Sequence, residues 1–450
     1  MRGLRSFLFL LVVAAGLGAY VYFVESKRTP SSETTATKEK VFTVESADIQ
    51  QLEVRSEKGE RTKLAKADGK WQIVEPTSAA ADETEVSSLA SSLSTLEIQR
   101  VVEEKPASLA EYGLQEPRVT IALTTGGASA GTKRLLIGRK TPTGGDMYAK
   151  VEGQDRVFLI QAYLDSTLSR GTFDLRDKHV LKFDRSQVDA LEIQSGDKTL
   201  RFAKAGAEWT ITAPVKARAD FSLVEGVIGR LDDARMSEVF TPAETDLKPY
   251  GLDKPGVTVR LGTGSSQASL AFGRTLQDNE RTYARDLSRP LVFAVQKSLP
   301  EEFGAKTAAD YRRRDLFEFR PFTASRIEFV RDGKTYTFEK AKDKDGADKW
   351  RQTALAQRDP DAAKMESLLS AFANLRAQSF VDATSGTGLD KPAVAVSVEF
   401  GESDNKKRER VSFGQTKDAA FAAPEAEPGA AKLDATELAN ALKALDEVIK

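Results

Sequence analysis

Hydrophobic and polar positions alternate in short runs along most of the chain. Leu52-Glu53-Val54, Leu191-Glu192-Ile193 and Ile327-Glu328-Phe329 have the period of a strand with one buried face. Turn residues follow each run (Lys58-Gly59, Gly196-Asp197, Asp332-Gly333), and Asp68-Gly69 marks a further tight turn. Asp-Gly between two such runs predicts a hairpin, because type I′ turns need positive φ. A tryptophan strand comes next, so each stretch should open as an antiparallel meander with its indole in the core.

The pattern then changes to a helical period. Val86, Leu89, Leu93 and Leu96 fall on one face, as do Leu223, Val224, Val227, Ile228 and Leu231, and Met365, Leu368, Leu369, Phe372 and Leu375. Asp82, Asp220 and Asp361 precede these helices as N-caps, each placed to accept from free first-turn amides. Tyr112-Gly113-Leu114, Tyr250-Gly251-Leu252 and Gly388-Leu389 then turn the chain, with Pro117, Pro255 and Pro392 starting the next strands. Alternation returns in 119–123, 257–261 and 394–398.

The chain therefore repeats itself. Trp71, Trp209 and Trp350 are 138 and 141 residues apart, and an Asp stands eleven residues after each. Gly138, Gly273 and Gly414 end later β-like runs. Arg176-Asp177 and Arg314-Asp315 mark the ends of the first two copies, and the expected role of these pairs is to tie one module to the next through ion pairs. The modules are placed at 41–182, 183–320 and 321–450, the third divergent. The expected fold class is α+β: three tandem modules of mainly antiparallel sheet with one packed helix each, preceded by a transmembrane helix.

That helix is read from the N-terminus. After a short tail, 1–6, with Arg2 and Arg5, residues 7–24 (FLFLLVVAAGLGAYVYFV) carry no charge. Eighteen helical residues span about 27 Å, close to the ~30 Å hydrocarbon core. A cleaved signal peptide is the alternative. Its apolar region is shorter, however, and here Tyr20, Tyr22 and Phe23 meet Glu25-Ser26-Lys27-Arg28 without a small-residue cleavage site. Residues 25–40 read as a polar, flexible tether, with the bulk of the chain outside the cytoplasmic membrane.

Composition narrows the chemistry. Net charge is −1, from 66 basic and 67 acidic residues, so no global field favours nucleic acid. Zero Cys excludes disulfides, thiolate catalysis and Cys-bound metals, and one His excludes sites needing two imidazoles.

Local motifs give structural readings. Gly126–Lys133 lacks the Lys directly after the second glycine that a phosphate loop requires, and no helix pattern follows, so it reads as a hairpin tip. Gly138-Arg139-Lys140-Thr141 is read in the same way. Asp343, Asp345 and Asp348 around Gly346 lack the calcium-loop spacing and read as a solvated turn. His179 stands without a nucleophile motif, and Phe317 is taken as its repeat counterpart. Arg312–Arg314 and Lys406–Arg408 lack interleaved aromatics and read as solvated faces. No catalytic, cofactor or metal residues are assigned.

The order W-x-I-x-x-P, Asp-capped helix, Tyr-Gly-Leu-x-x-Pro, then Leu175-Arg176-Asp177 resembles the bacterial domain-of-unknown-function family numbered 4340 (DUF 4340). The third copy departs from it, lacking the proline after Trp350 and the Tyr before Gly388. The resemblance implies a single-pass protein of the bacterial cytoplasmic membrane facing the periplasm. It also implies an association with ABC-type transport systems of the gliding-motility kind. The expected function is thus non-catalytic: a tandem-repeat interaction surface serving a transport or envelope machine. The alternatives are polysaccharide binding through exposed indoles and hydrolysis by a pair of carboxylates.

Overall fold

The computed structural model describes residues 38–126, 130–240, 246–355, 357–401 and 406–450. The expected membrane segment 7–24 and nearly all of the 25–40 tether lie outside the described residues. Among the described residues no helix is long and apolar enough to cross a membrane.

The first repeat contains a nine-stranded sheet: β1 (Ile49–Arg55), β2 (Arg61–Ala67), β3 (Lys70–Glu75), β4 (Ala79–Ala80), β5 (Arg100–Glu103), β6 (Val119–Thr125), β7 (Gly131–Lys140), β8 (Asp146–Val151) and β9 (Val157–Gln161). Their spatial order is β4-β3-β2-β1-β6-β7-β8-β9-β5, and every pairing is antiparallel. β1 lies in the interior of the sheet, with Leu52 opposite Leu64 on one side and Leu123 on the other. Asp68 and Gly69 have φ of 52° and 78°, the positive pair that a two-residue I′ turn needs. In the Gly126–Lys133 stretch, residues 127–129 lie outside the described residues, while Gly131–Lys133 belong to β7, paired antiparallel with β6.

The helix Glu83–Ser94 lays Val86, Leu89 and Leu93 into one core with Leu52, Val54, Ile121 and Leu135. The amphipathic spacing produces this: only one helix face is apolar, and the sheet offers an alternating apolar face to receive it.

The chain divides into two compact units, one ending at Asp177 and the other running from Lys178 to Lys450. The second unit holds two more sheets. The sheet of the second repeat, from Ala190–Ser195 to Val292–Gln296, reproduces the strand order of the first, strand for strand. In the third the same order recurs with eight strands. The counterpart of β4 is reduced to an isolated bridge, Gln352 with Arg358.

One packed helix per repeat was too few. The second repeat adds Ser298–Ala305, which buries Leu299, Pro300 and Phe303. The third adds Ala435–Ile449, which packs on Ala362–Ala373 and buries Leu438, Ala441, Leu445 and Val448. That 15-residue helix follows the last strand of its sheet, where the first two repeats have short helical pieces at 165–175 and 298–311.

Candidate functional site

The recurring residues are used in three kinds of contact. Asp82 accepts from the Thr84 and Glu85 amides, Asp220 from Leu223 and Asp361 from Lys364, all at 3.0–3.1 Å, so each caps its helix. Gly113, Gly251 and Gly388 have φ of 66°, 66° and 75°. Gly138 and Gly273 lie so close to those turns that a Cβ would stand 2.1 Å from the Tyr112 or Tyr250 carbonyl oxygen, and at Gly414 2.4 Å from that of Thr387. The glycines kept at the strand ends are therefore required by a close backbone approach.

Trp71 and Trp209 are 4% and 1% exposed, core residues rather than platforms, while Trp350 is half-buried. A directly cross-strand lysine lies over each ring: Lys66 at 5.0 Å from Trp71, Lys204 at 5.4 Å from Trp209 and Lys340 at 5.4 Å from Trp350. Sequence reading missed these lysines. Two stand five residues before their Trp but the third stands ten before, because the Asp343–Gly346 turn is longer.

A dense charged arrangement joins the second repeat to the third. After Tyr311 the chain leaves the second core, and Leu316, Phe317 and Phe319 already belong to the third. From the second repeat, Arg218 Nε donates to Glu427 Oε1 at 2.7 Å and Arg312 Nη2 to Glu427 Oε2 at 2.8 Å. The Arg312 and Glu427 side chains are both 5% exposed. Arg218 Nη2 donates to the Asp315 and Leu316 carbonyls, while its Nη1 lies 3.5 Å from Glu409 and 3.8 Å from Glu318. The Glu318 amide donates to both Glu409 oxygens, and Lys407 reaches Glu318 at 3.0 Å. Arg218, Glu318, Lys407, Glu409 and Glu427 border a cleft of about 530 Å³.

The cluster splits its carboxylates. Burial pushes the Glu409 carboxyl above the usual glutamate value, against the lowering pull of the Glu318 amide and the Arg218 charge. Burial acts on Glu318 in the same sense, but the Lys407 hydrogen bond and the charges of Lys407, Arg218 and Arg313 outweigh it and hold Glu318 low. For Arg218, burial alone would lower the pKa, yet the Glu427 hydrogen bond and three carboxylate charges raise it.

The junction also corrects a register. Leu175 and Tyr311 accept equivalent bonds from the Asp82 and Asp220 amides, and Ala81 bridges Arg176 as Ala219 bridges Arg312. Arg176-Asp177 is thus matched by Arg312-Arg313, two residues before Arg314-Asp315. The counterpart of His179 is Asp315, not Phe317: His179 bridges Arg235 as Asp315 bridges Arg376. Asp315 pairs with Arg376 at 3.0 Å, and Arg314 offers its carbonyl to the Ala377 amide. The inter-repeat tie expected of Arg314 is made by Arg312. Three consecutive arginines let the sequence slide by two without penalty, and only the pairing resolves it.

The remaining candidates lie in backbone and turn contacts. Half-buried His179 receives Arg289 Nη2 on its carbonyl at 3.2 Å. Asp343 accepts from the Asp345 and Ala347 amides and pairs with Lys349, which closes its own turn. Among the described residues no group of three or more His, Asp or Glu side chains is placed to hold a metal ion. The junction residues Arg218, Glu409 and Glu427 carried no signal in the sequence, because Arg289 occupies the turn position of the second repeat that Glu427 occupies in the third.

Sheet, capped helix and glycine turn, repeated with one strand order, define a tandem-repeat α+β protein. The chain belongs to the family described as Domain of unknown function (DUF4340), whose profile matches residues 71–210 and 209–392, more than half of the 450. No curated protein matches the chain. A solved structure, described as a putative DNA polymerase III beta subunit from Eubacterium rectale ATCC 33656, is 8% identical over 87% of this chain and 91% of that one. Its TM-score is 0.17.

Proposed function

We propose that this protein is a non-catalytic accessory of the cell envelope. In this reading residues 7–24 anchor it in the bacterial cytoplasmic membrane, and its three repeats face the periplasm and present an interaction surface to a partner. The partner class that family resemblance favours is an ABC-type transport system of the gliding-motility kind. The observation that carries the proposal is that the repeated landmarks are consumed by folding. The aspartates cap helices, two of the three indoles lie in cores, the glycines permit backbone contact, and Arg312 joins two repeats. What each copy repeats is a scaffold, which suits recognition spread over an extended surface.

The two alternatives meet specific obstacles. Sugar stacking needs exposed rings, and Trp71 and Trp209 are buried. Within the charged cluster the candidate hydrolytic pair is Glu318 and Glu409, whose pKa values are pushed apart, but the Arg218 guanidinium lies beside both, and both Glu409 oxygens already accept the Glu318 amide. The test is crosslinking in native membranes followed by identification of neighbours, together with an alkaline wash. Retention of the chain in washed membranes and recovery of an integral membrane partner are expected. Release into the wash, or purification without any membrane partner, overturns the reading.

A further inference from the structure

A second cleft in the 178–450 unit, of about 660 Å³, opens between the second and third repeats and shares Arg312 with the charged cluster. Its size falls within the roughly 300–1,000 Å³ typical of small-molecule sites. Pro214 and Val215 form part of the wall, Phe303 comes from the helix Ser298–Ala305, and Phe380 is contributed by the third repeat. Among the polar lining residues the most deeply buried is Arg312.

Arg312 is only 4% exposed, and it is incompletely compensated. Its single carboxylate, Glu427, is shared with Arg218, which has Glu409 and Glu318 besides. One face of its guanidinium lies 4.0 Å from the Phe380 ring, and its buried Nε has no hydrogen-bond partner. A buried guanidinium nitrogen without an acceptor costs free energy that an anion would recover. Lys306 and Lys198 also line the cleft and make no ion pair among the described residues, against two lining carboxylates, Asp197 and Asp382. The charged lining is therefore net positive.

We propose that this cleft binds a small amphiphilic anion: an apolar, ring-bearing body seated on Phe303, Phe380 and Val215, with one carboxylate directed to Arg312 and Lys306. Aromatic rings supply the contact area, and charge-assisted hydrogen bonds from the guanidinium select the anion. The site stands independently of the membrane reading.

The test is calorimetric titration of the full chain in lipid nanodiscs with 1-naphthoate, against neutral 1-naphthylmethanol and empty nanodiscs. Saturable 1:1 binding of naphthoate is expected, with the alcohol at least tenfold weaker. Exposed Ala309 lines the cleft and is not a member of any ion pair, so Ala309→Trp fills the space while leaving every charged group in place. It should weaken naphthoate at least tenfold, and Lys306→Ala should weaken it measurably. No saturable binding, equal binding of the alcohol, or unchanged binding by Ala309→Trp overturns the proposal.

Discussion

Replacing Glu427 by Leu tests the junction between the second and third repeats. The substitution removes the one carboxylate that Arg218 and Arg312 share, but the two arginines are left differently placed. Arg218 keeps two carbonyls and the nearby Glu409 and Glu318, whereas Arg312 keeps the Phe380 face and a 3.4 Å contact to the Pro428 carbonyl. Breaking a buried pair costs about 3–5 kcal/mol, mostly from the charge left behind. With one guanidinium orphaned rather than two, the lower end, about 3 kcal/mol, is expected. Adding Arg312→Met removes the orphan and should restore about 2 kcal/mol, since an apolar replacement of a whole buried pair is close to neutral. Urea melts of the full chain in nanodiscs give the free energies. Hydrogen exchange of strands Ala190–Ser195 and Val394–Phe400 shows whether the two sheets have become uncoupled. A single variant within 1 kcal/mol of the parent, or a double variant no better than the single, refutes the argument.

The same melts check three further expectations. Gly138→Ala forces a methyl against the Tyr112 carbonyl and should cost about 3 kcal/mol, whereas Gly59→Ala, strained at φ 82° but in open space, should cost about 1 kcal/mol; equal costs would refute the close-approach account. Trp209→Ala should cost about 3–5 kcal/mol and Trp350→Ala less than half of that, because only the first is fully buried. The reverse order would mean that the third indole carries its core. For pH, Glu409 is raised, so its contribution to stability is full below the usual glutamate value of 4.5 and is lost as pH rises through its folded value. Glu318 is lowered, so its contribution is present above 4.5 and lost as pH falls through its folded value. Relative to the parent, Glu409→Gln should therefore improve with rising pH and Glu318→Gln worsen; slopes of the same sign would refute the assignment.

What the sequence made legible is local. Asp82, Asp220 and Asp361 were readable because a cap and its helix lie within three residues, and the Asp68-Gly69 turn because its dihedral demand falls on the two residues that meet it. The helix Ala435–Ile449 is equally legible, since Leu438, Ala441, Leu445 and Val448 fall on one face, but the first two copies have no helix of its length at that place to align with it. The junction was not readable. Arg218 and Glu427 are 209 residues apart, and the repeat offers no analogue, since Arg289 stands where Glu427 would be expected. The cleft at Arg312 gathers residues from 193 to 382, and no spacing rule links them.

The interior position of β1 has a consequence for biosynthesis. The strand is made early, yet its second neighbour, β6, begins 64 residues after β1 ends. At cellular elongation rates this is a wait of about 3–13 s with one backbone edge unpaired. The hairpin with β2 must protect the nascent strand through that interval, and no repeat can close until nearly all of it has left the ribosome.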